Sequence, residues 1–251
     1  MADDSALHFV IHISTSGAQF TRTLWTLTTP KSTEKLKSTA LHNMAGQPTK
    51  SPFTDAQINA PIPAPIFTTA RLGVRTYHPQ DAPSMTRAGN NPAILKYMTN
   101  SFPNPYDLIA ANGWISMNIN ETHPAHFGIF EKSAPDVLIG SIGLNKLSTD
   151  VHAHTAEIGY WLAESHWNKG MMSEVVGGFT KWAFESFEGK DGQRMRKLYG
   201  GVYSWNPGSM RCFLKNRFAP EGVMKGQVEK NGQTLDLHWF GLTKKDWEAR
   251  Q

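Results

Sequence analysis

From Thr68 onward the apolar positions fall into short periodic runs that alternate between strand and helix spacing. The run RLGVRTY (71–77) alternates and predicts a strand. Asp81 is placed as the N-cap of a short helix from Ala82 to Gly89, and PAILKYM (92–98) continues with helical spacing. FPNPY (102–106) is a proline-broken loop. Beyond it, Leu108, Ala111, Ile115 and Ile119 share one face of a helix running from Asp107 to Ile119. HFGIFEK (126–132) and VLIGSIGLNKL (137–147) are apolar runs of strand length and predict a hairpin, with TAEIGYWLA (155–163) as the next strand. After a polar turn, Met172, Val175, Val176, Phe179, Trp182, Ala183 and Phe187 recur at helical spacing. RKLYGGVYS (196–204) reads as a strand, and PGSMRCFLKNRF (207–218) opens with a proline suited to a helix N-terminus. Residues 224–247 read as two strands around Asn231-Gly232, a two-residue hairpin signal. This order predicts an α+β fold: a mixed, mostly antiparallel sheet flanked by helices, with one helical crossover in its middle.

Residues 1–65 are patterned differently. They are rich in Thr, Ser, Ala and Pro and end in APIPAPI (60–66), which predicts an extended linker and a poorly ordered or variable N-terminal extension ahead of a domain at 66–251. Only LHFVIHI (7–13) has strand character there. Two readings stay open for the first residues: part of the protein, or an extension ahead of a natural start at Met44.

Composition narrows the function classes. The net charge is +4 without a run of basic residues, so no nucleic-acid footprint is expected. A single cysteine, Cys212, excludes an internal disulfide and a cysteine-based zinc site, and fits a reducing, cytoplasmic setting. No apolar run has the length of a membrane span. His152, His154 and Glu157 lie close in sequence, but their spacing enforces no third and fourth ligand, so no metal is expected.

The stretch EIGYWLAESHWNKGMMSEVV (157–176) carries the chemistry. A strand leads through a polar turn into a helix whose first N–H groups have no partner within the helix and carry partial positive charge. Such an end holds phosphate. Gly170 lets backbone approach an anion closely, Asn168 tolerates left-handed dihedrals, and Lys169 adds charge. This stretch, with WNPGSMRCFLKNRFAPEG (205–222), ARLGVRTYHPQDA and PNPYDLIAANGWI in the same order, resembles the GNAT superfamily of N-acetyltransferases, in particular its RimJ/RimL-like branch. The resemblance spans about residues 68–248. It implies a splayed central strand pair and acetyl-CoA as co-substrate. The backbone of Asn168 to Ser173, through Lys169, Gly170, Met171 and Met172 and next to Trp167, would wrap the pyrophosphate. Tyr160, Trp161 and Leu162 would pair with the pantetheine arm. Asn206, Ser209 and Phe213 would flank the pantetheine and sulfur. Tyr97 and Trp114 would line the acceptor pocket.

Acetyl transfer needs a neutral amine, and an alkylammonium has a pKa near 10, so a base is needed. Glu157 is the candidate; its other reading is a sheet-face carboxylate paired with a cation. Many relatives place a tyrosine where this chain has Phe213, so Ser209 is named as acid, with Tyr203 as second choice and helix capping as the alternative for Ser209. The usual glycine before Phe218 is Arg217. The expected function is transfer of acetyl from acetyl-CoA to a primary amine, on a peptide N-terminus or a small molecule, by a monomer or homodimer. The alternative is a catalytically weak CoA-binding module.

Overall fold

A computed structural model describes residues 51–250; the strand expected at 7–13 and the Met44 question lie outside them. A capping box opens this part: the Thr54 hydroxyl accepts from the Gln57 amide, and the Gln57 side chain accepts from the Thr54 amide. It starts α1 (Asp55–Ile58), ahead of β1 (Phe67–Thr68) and β2 (Leu72–Arg75). Then come α2 (Ala82–Gly89), α3 (Pro92–Leu95) and α4 (Leu108–Ile119). β3 (His126–Glu131), β4 (Ala134–Asn145) and β5 (Thr155–Leu162) follow as a meander. α5 (Met171–Glu185) crosses to β6 (Lys197–Tyr203), and α6 (Pro207–Lys215), β7 (Ala219–Lys230), β8 (Gln233–Thr243) and α7 (Lys244–Glu248) complete the order.

The eight strands of the described residues form one sheet, β1-β2-β3-β4-β5-β6-β8-β7. Every neighbouring pair is antiparallel except β5 and β6. Asn231 and Gly232 both have positive φ, as a type I′ hairpin turn requires. β7 begins at Ala219, earlier than its sequence announces, because the strand lies on the sheet edge and residues 219–227 are all exposed. The last residues read as strand instead form α7, started by the Thr243 hydroxyl accepting from the Asp246 amide.

Apolar layers cover both faces. Val175, Val176, Phe179, Ala183 and Phe184 of α5 bury against Ile142, Ile158 and Leu198 on one face. Met85, Ala111 and Ile115 of α2 and α4 bury against Phe130 and Leu138 on the other. Burying a side chain such as Phe179 contributes about 1.5–3 kcal/mol. The stripe on α4 starts at Ala111, since Leu108 is half exposed. On α5, Met171 is buried and Met172 only partly so.

Asp81 does not cap α2 with its side chain. Its carboxylate takes both ends of the Arg75 guanidinium at 2.8 Å and the His78 amide at 2.8 Å. The pair is buried, and Arg75 lies 3.7 Å over the Phe130 ring. A buried arginine draws the nearest carboxylate away from the helix end, because an unpaired buried charge is far costlier than an uncapped amide.

Gly200 on β6 meets α6 closely. A Cβ there would sit 2.2 Å from Phe213 Cζ. Gly200→Ala is expected to destabilise by about 1–3 kcal/mol through overpacking. A urea midpoint that does not fall would contradict this.

Candidate active site

The site begins where the sheet parts. β5 and β6 pair only from Thr155–Lys197 to Glu157–Tyr199. Beyond Glu157, β5 stays paired to β4 as far as Leu162, and β6 stays paired to β8 as far as Tyr203. The edges of Ile158–Leu162 and Gly200–Tyr203 that face each other are therefore unpaired within the sheet. A wedge closed at Glu157 and open at its far end can take an extended amide-bearing chain as a short added strand.

At the open end lies the turn into α5. Trp167 Nε1 donates to Leu162 O at 2.7 Å, fixing the turn to the end of β5. Asn168 and Gly170 both have left-handed backbones, φ 58° and 73°, and both are exposed. Gly170 occupies the N-cap position, and no side chain among the described residues caps this 15-residue helix. These amides and the helix dipole fit a pyrophosphate.

A clamp between residues distant in sequence holds this turn. Glu174 in the first turn of α5 accepts from the Arg71 amide at 2.9 Å and Nε at 2.8 Å, and from the Thr69 hydroxyl. Arg71 Nη1 also donates to Lys169 O at 3.0 Å, so the guanidinium stands beside the cradle. Burial pushes the Glu174 carboxyl up, but the hydrogen bonds from Thr69 and Arg71 and the Arg71 charge outweigh it and hold the group below its ordinary value. A lowered folded pKa stabilises above the unfolded value and is lost as pH falls through the folded one. Glu174→Ala is expected to lower Tm by about 2–4 °C near neutrality, the shift given by about 1 kcal/mol in a domain of this size. The gap to wild type narrows once the pH falls below about 4. A gap that widens with acid would contradict the clamp.

Tyr160 bridges the wedge from β5 to α6. Its hydroxyl lies 2.8 Å from Ser209 Oγ. Burial above all, then the neighbouring Cys212, raises the Tyr160 phenol well above its usual range. Burial likewise raises the Cys212 thiol. The cap of α6 is Asn206, whose Oδ1 accepts from the Ser209 amide at 3.1 Å, so the Ser209 hydroxyl does not cap its helix. Phe213 is 2% exposed and stacks on Phe240 at 5.8 Å. It is a core residue with almost no surface to offer a ligand. Arg217 has φ 64°, the left-handed bend that a glycine would make at lower cost.

The other sheet face carries the second half of the site. Glu157 is half-buried and 3.1 Å from Lys146 Nζ. Tyr199, directly opposite Glu157, lies 5.6 Å from Trp239. Burial first, and the Glu157 charge second, raise both the Tyr199 and Tyr203 phenols. The sequence points to Tyr203, whereas Tyr199 and Trp239 join it only through the fold. The alternation of LYGGVY, which sends 199, 201 and 203 to one face, was the signal. Further out, His126 Nε2 lies 3.0 Å from Asn145 Oδ1 and its ring packs edge-on to Trp114 at 5.2 Å. Burial holds this histidine below its ordinary value against the opposing Asn145 bond.

Tyr97 and Trp114, expected to line one pocket, have different neighbours. Tyr97 packs edge-on against Trp167 at 6.0 Å, beside the turn, and Lys96 Nζ lies between the Tyr97 and Trp205 rings. Trp161 turns to the α2–α4 side, packing near Phe102 and Tyr106. Lys230, buried at the tip of the β7–β8 hairpin, donates to Asn100 Oδ1 at 2.9 Å and ties the hairpin to the loop before FPNPY. His152 and His154 lie in the turn ahead of β5.

The family described as Acetyltransferase (GNAT) domain matches residues 71–219. The chain is 29% identical to an uncharacterized N-acetyltransferase, p20, of Bacillus licheniformis, over 71% of this chain and 96% of that one. It is 34% identical to the ribosomal-protein-serine acetyltransferase of Escherichia coli, over 45% of this chain and 58% of that one. Among solved structures, spermidine N-acetyltransferase from Vibrio cholerae, in complex with CoA and spermine, aligns with a TM-score of 0.58 at 19% identity, covering 70% of this chain and 98% of that one.

Proposed function

The chain belongs to the GNAT acetyltransferase family and is an acyltransferase, and on that premise we propose that it moves an acetyl group from acetyl-CoA directly to a primary amine. The observation that carries this reading is the parting of β5 from β6 immediately after Glu157, with the uncapped end of α5 at the far end of the wedge. Acetyl-CoA supplies the activated acetyl carbon. The amides from Asn168 to Ser173 hold its phosphates, aided by Lys169. The free edge of Ile158–Leu162 holds its amide arm. Glu157, at the closed end, takes the proton that an ammonium must lose before it can attack. Tyr203, or the Ser209–Tyr160 hydroxyl pair, serves the leaving sulfur. A thiolate of pKa near 8.5 needs little help to leave, so the core position of Phe213 does not argue against turnover.

The acceptor face sets the Glu157 carboxylate near the rings of Tyr199, Tyr203 and Trp239, which suits a cationic amine. The β7–β8 hairpin and the loop tied to it by Lys230 select between a peptide N-terminus and a small amine. The single buried thiol Cys212 fits a cytoplasmic enzyme. Calorimetric titration with acetyl-CoA, followed by CoA release on a panel of peptides, amino acids and polyamines, tests the reading. Binding with turnover on at least one amine supports it. Tight binding without turnover on any amine replaces it with a CoA-binding module, and no binding removes both.

A further inference from the structure

One side-chain ammonium already lies against the carboxylate proposed as the base. Lys146 follows directly on β4, and its left-handed backbone, φ 55°, departs from the strand. Its Nζ lies 3.1 Å from Glu157 Oε2 and 5.5 Å from the centre of the Trp239 ring. The preceding residue, Asn145, is the cross-strand partner of Glu157, which fixes Lys146 to the closed end of the wedge. A primary alkylammonium between a carboxylate and an indole face is what the acceptor seat has to hold. The side chain is 59% exposed, so it can leave the seat for another amine.

We infer that Lys146 is itself an acceptor: supplied with acetyl-CoA and no competing amine, the protein acetylates its own Lys146 Nζ. This rests on the acetyl-transfer reading above. The ammonium gives one proton to Glu157 and becomes a neutral amine. Its lone pair forms the N–C bond to the acetyl carbonyl carbon, and the C–S bond breaks with its electron pair on sulfur. The second proton lost from nitrogen goes to that sulfur, giving free CoA, and Glu157 passes the first to solvent. The sum is ammonium plus thioester giving amide, thiol and one proton. The product is a neutral amide that can no longer pair with Glu157, and its added bulk stands in the acceptor's place.

Two other lysines are controls within the same chain. Lys181 pairs with Glu185 at 2.7 Å and Lys225 with Asp236 at 2.7 Å, and at 63% and 81% exposure neither is more shielded than Lys146. They are carboxylate-paired and open to solvent, yet lie on α5 and on the outer strand β7. Uncatalysed acetylation would therefore modify them at least as fast.

The test is peptide mass mapping of the full chain after timed incubation with isotope-labelled acetyl-CoA. Label is expected at Lys146 at least tenfold sooner than at Lys181 or Lys225, with a rate constant independent of protein concentration. Glu157→Gln should slow it by about 10²-fold or more, and Lys146→Arg should abolish the fast phase. Equal labelling of the three lysines, or a rate that rises with protein concentration, overturns the inference. If CoA is released on an added amine while Lys146 stays unlabelled without one, this inference falls and the acetyl-transfer reading stands. If the protein binds no acetyl-CoA, both fall.

Discussion

Glu157→Gln is expected to lower kcat on a primary amine by about two to four orders of magnitude near neutral pH, with acetyl-CoA affinity unchanged. The amide keeps the shape of the side chain but cannot take a proton. The loss should be greatest between about pH 6 and 8, where almost all of an acceptor with a pKa near 10 is protonated, and should shrink as the amine deprotonates unaided. Glu157 also pairs with Lys146, so a loss could reflect the broken ion pair. Lys146→Met separates the two, because it removes the pair and leaves the carboxylate. It should keep most of kcat and lower KM for cationic amines, which no longer have to displace a tethered one. Full activity of Glu157→Gln across that pH range would remove Glu157 as the base. An equal collapse in Lys146→Met would mean that the pairing, and not the proton transfer, matters.

The largest stability effect is expected at Asp81. Asp81→Ala leaves the Arg75 guanidinium, 4% exposed, with the Thr76 carbonyl as its one hydrogen-bond acceptor among the described residues. Removing one partner of a buried pair costs about 3–5 kcal/mol. In a domain of this size each kcal/mol moves Tm by about 2–4 °C, so a fall of about 10 °C is expected. The fall is large because the same carboxylate holds the His78 amide, while the Asp81 carbonyl takes the Ser84 hydroxyl, which receives the Leu138 amide of β4. One substitution thus loosens the start of α2 and its anchor on the sheet. Lys181→Ala, which breaks an exposed pair, should change stability by less than about 0.5 kcal/mol. Comparable shifts for the two would mean that the buried pair carries no special weight.

The order of elements was legible because most of the chain writes its burial into its periodicity. The β3–β4 hairpin, α5 and the Asn231-Gly232 turn each combine an apolar period with a distinct turn signal. β7 was cut short because an edge strand with every side chain exposed from 219 to 227 has no apolar alternation to read. The Thr54–Gln57 capping box was written in the residues but lay in a stretch whose prolines spoke louder. Asp81 was read as a cap because local sequence offers an aspartate before a helix, and its true partner, Arg75, is buried by tertiary packing that a local rule does not see. The strand–turn–helix of the candidate site was legible as local structure, down to the left-handed bend at Asn168. Its supports were not. Arg71 and Glu174 are 103 positions apart, and Tyr160 and Ser209 are 49 apart. Nothing in either neighbourhood announces such a meeting. Phe213 was placed beside the ligand by resemblance, whereas the missing side chain of Gly200 lets its ring sink into the core.

The short join between β5 and β6 has a mechanical meaning. Five strands from β1 to β5 and three from β6 to β8 are each knit by antiparallel ladders, and the sheet joins the two groups through the three register positions of β5 and β6. The sheet is therefore two plates that meet at one short seam, while the core beneath it runs unbroken from one plate to the other. The width of the wedge is set at that seam and by the packing of α5, which leaves one plate and enters the other.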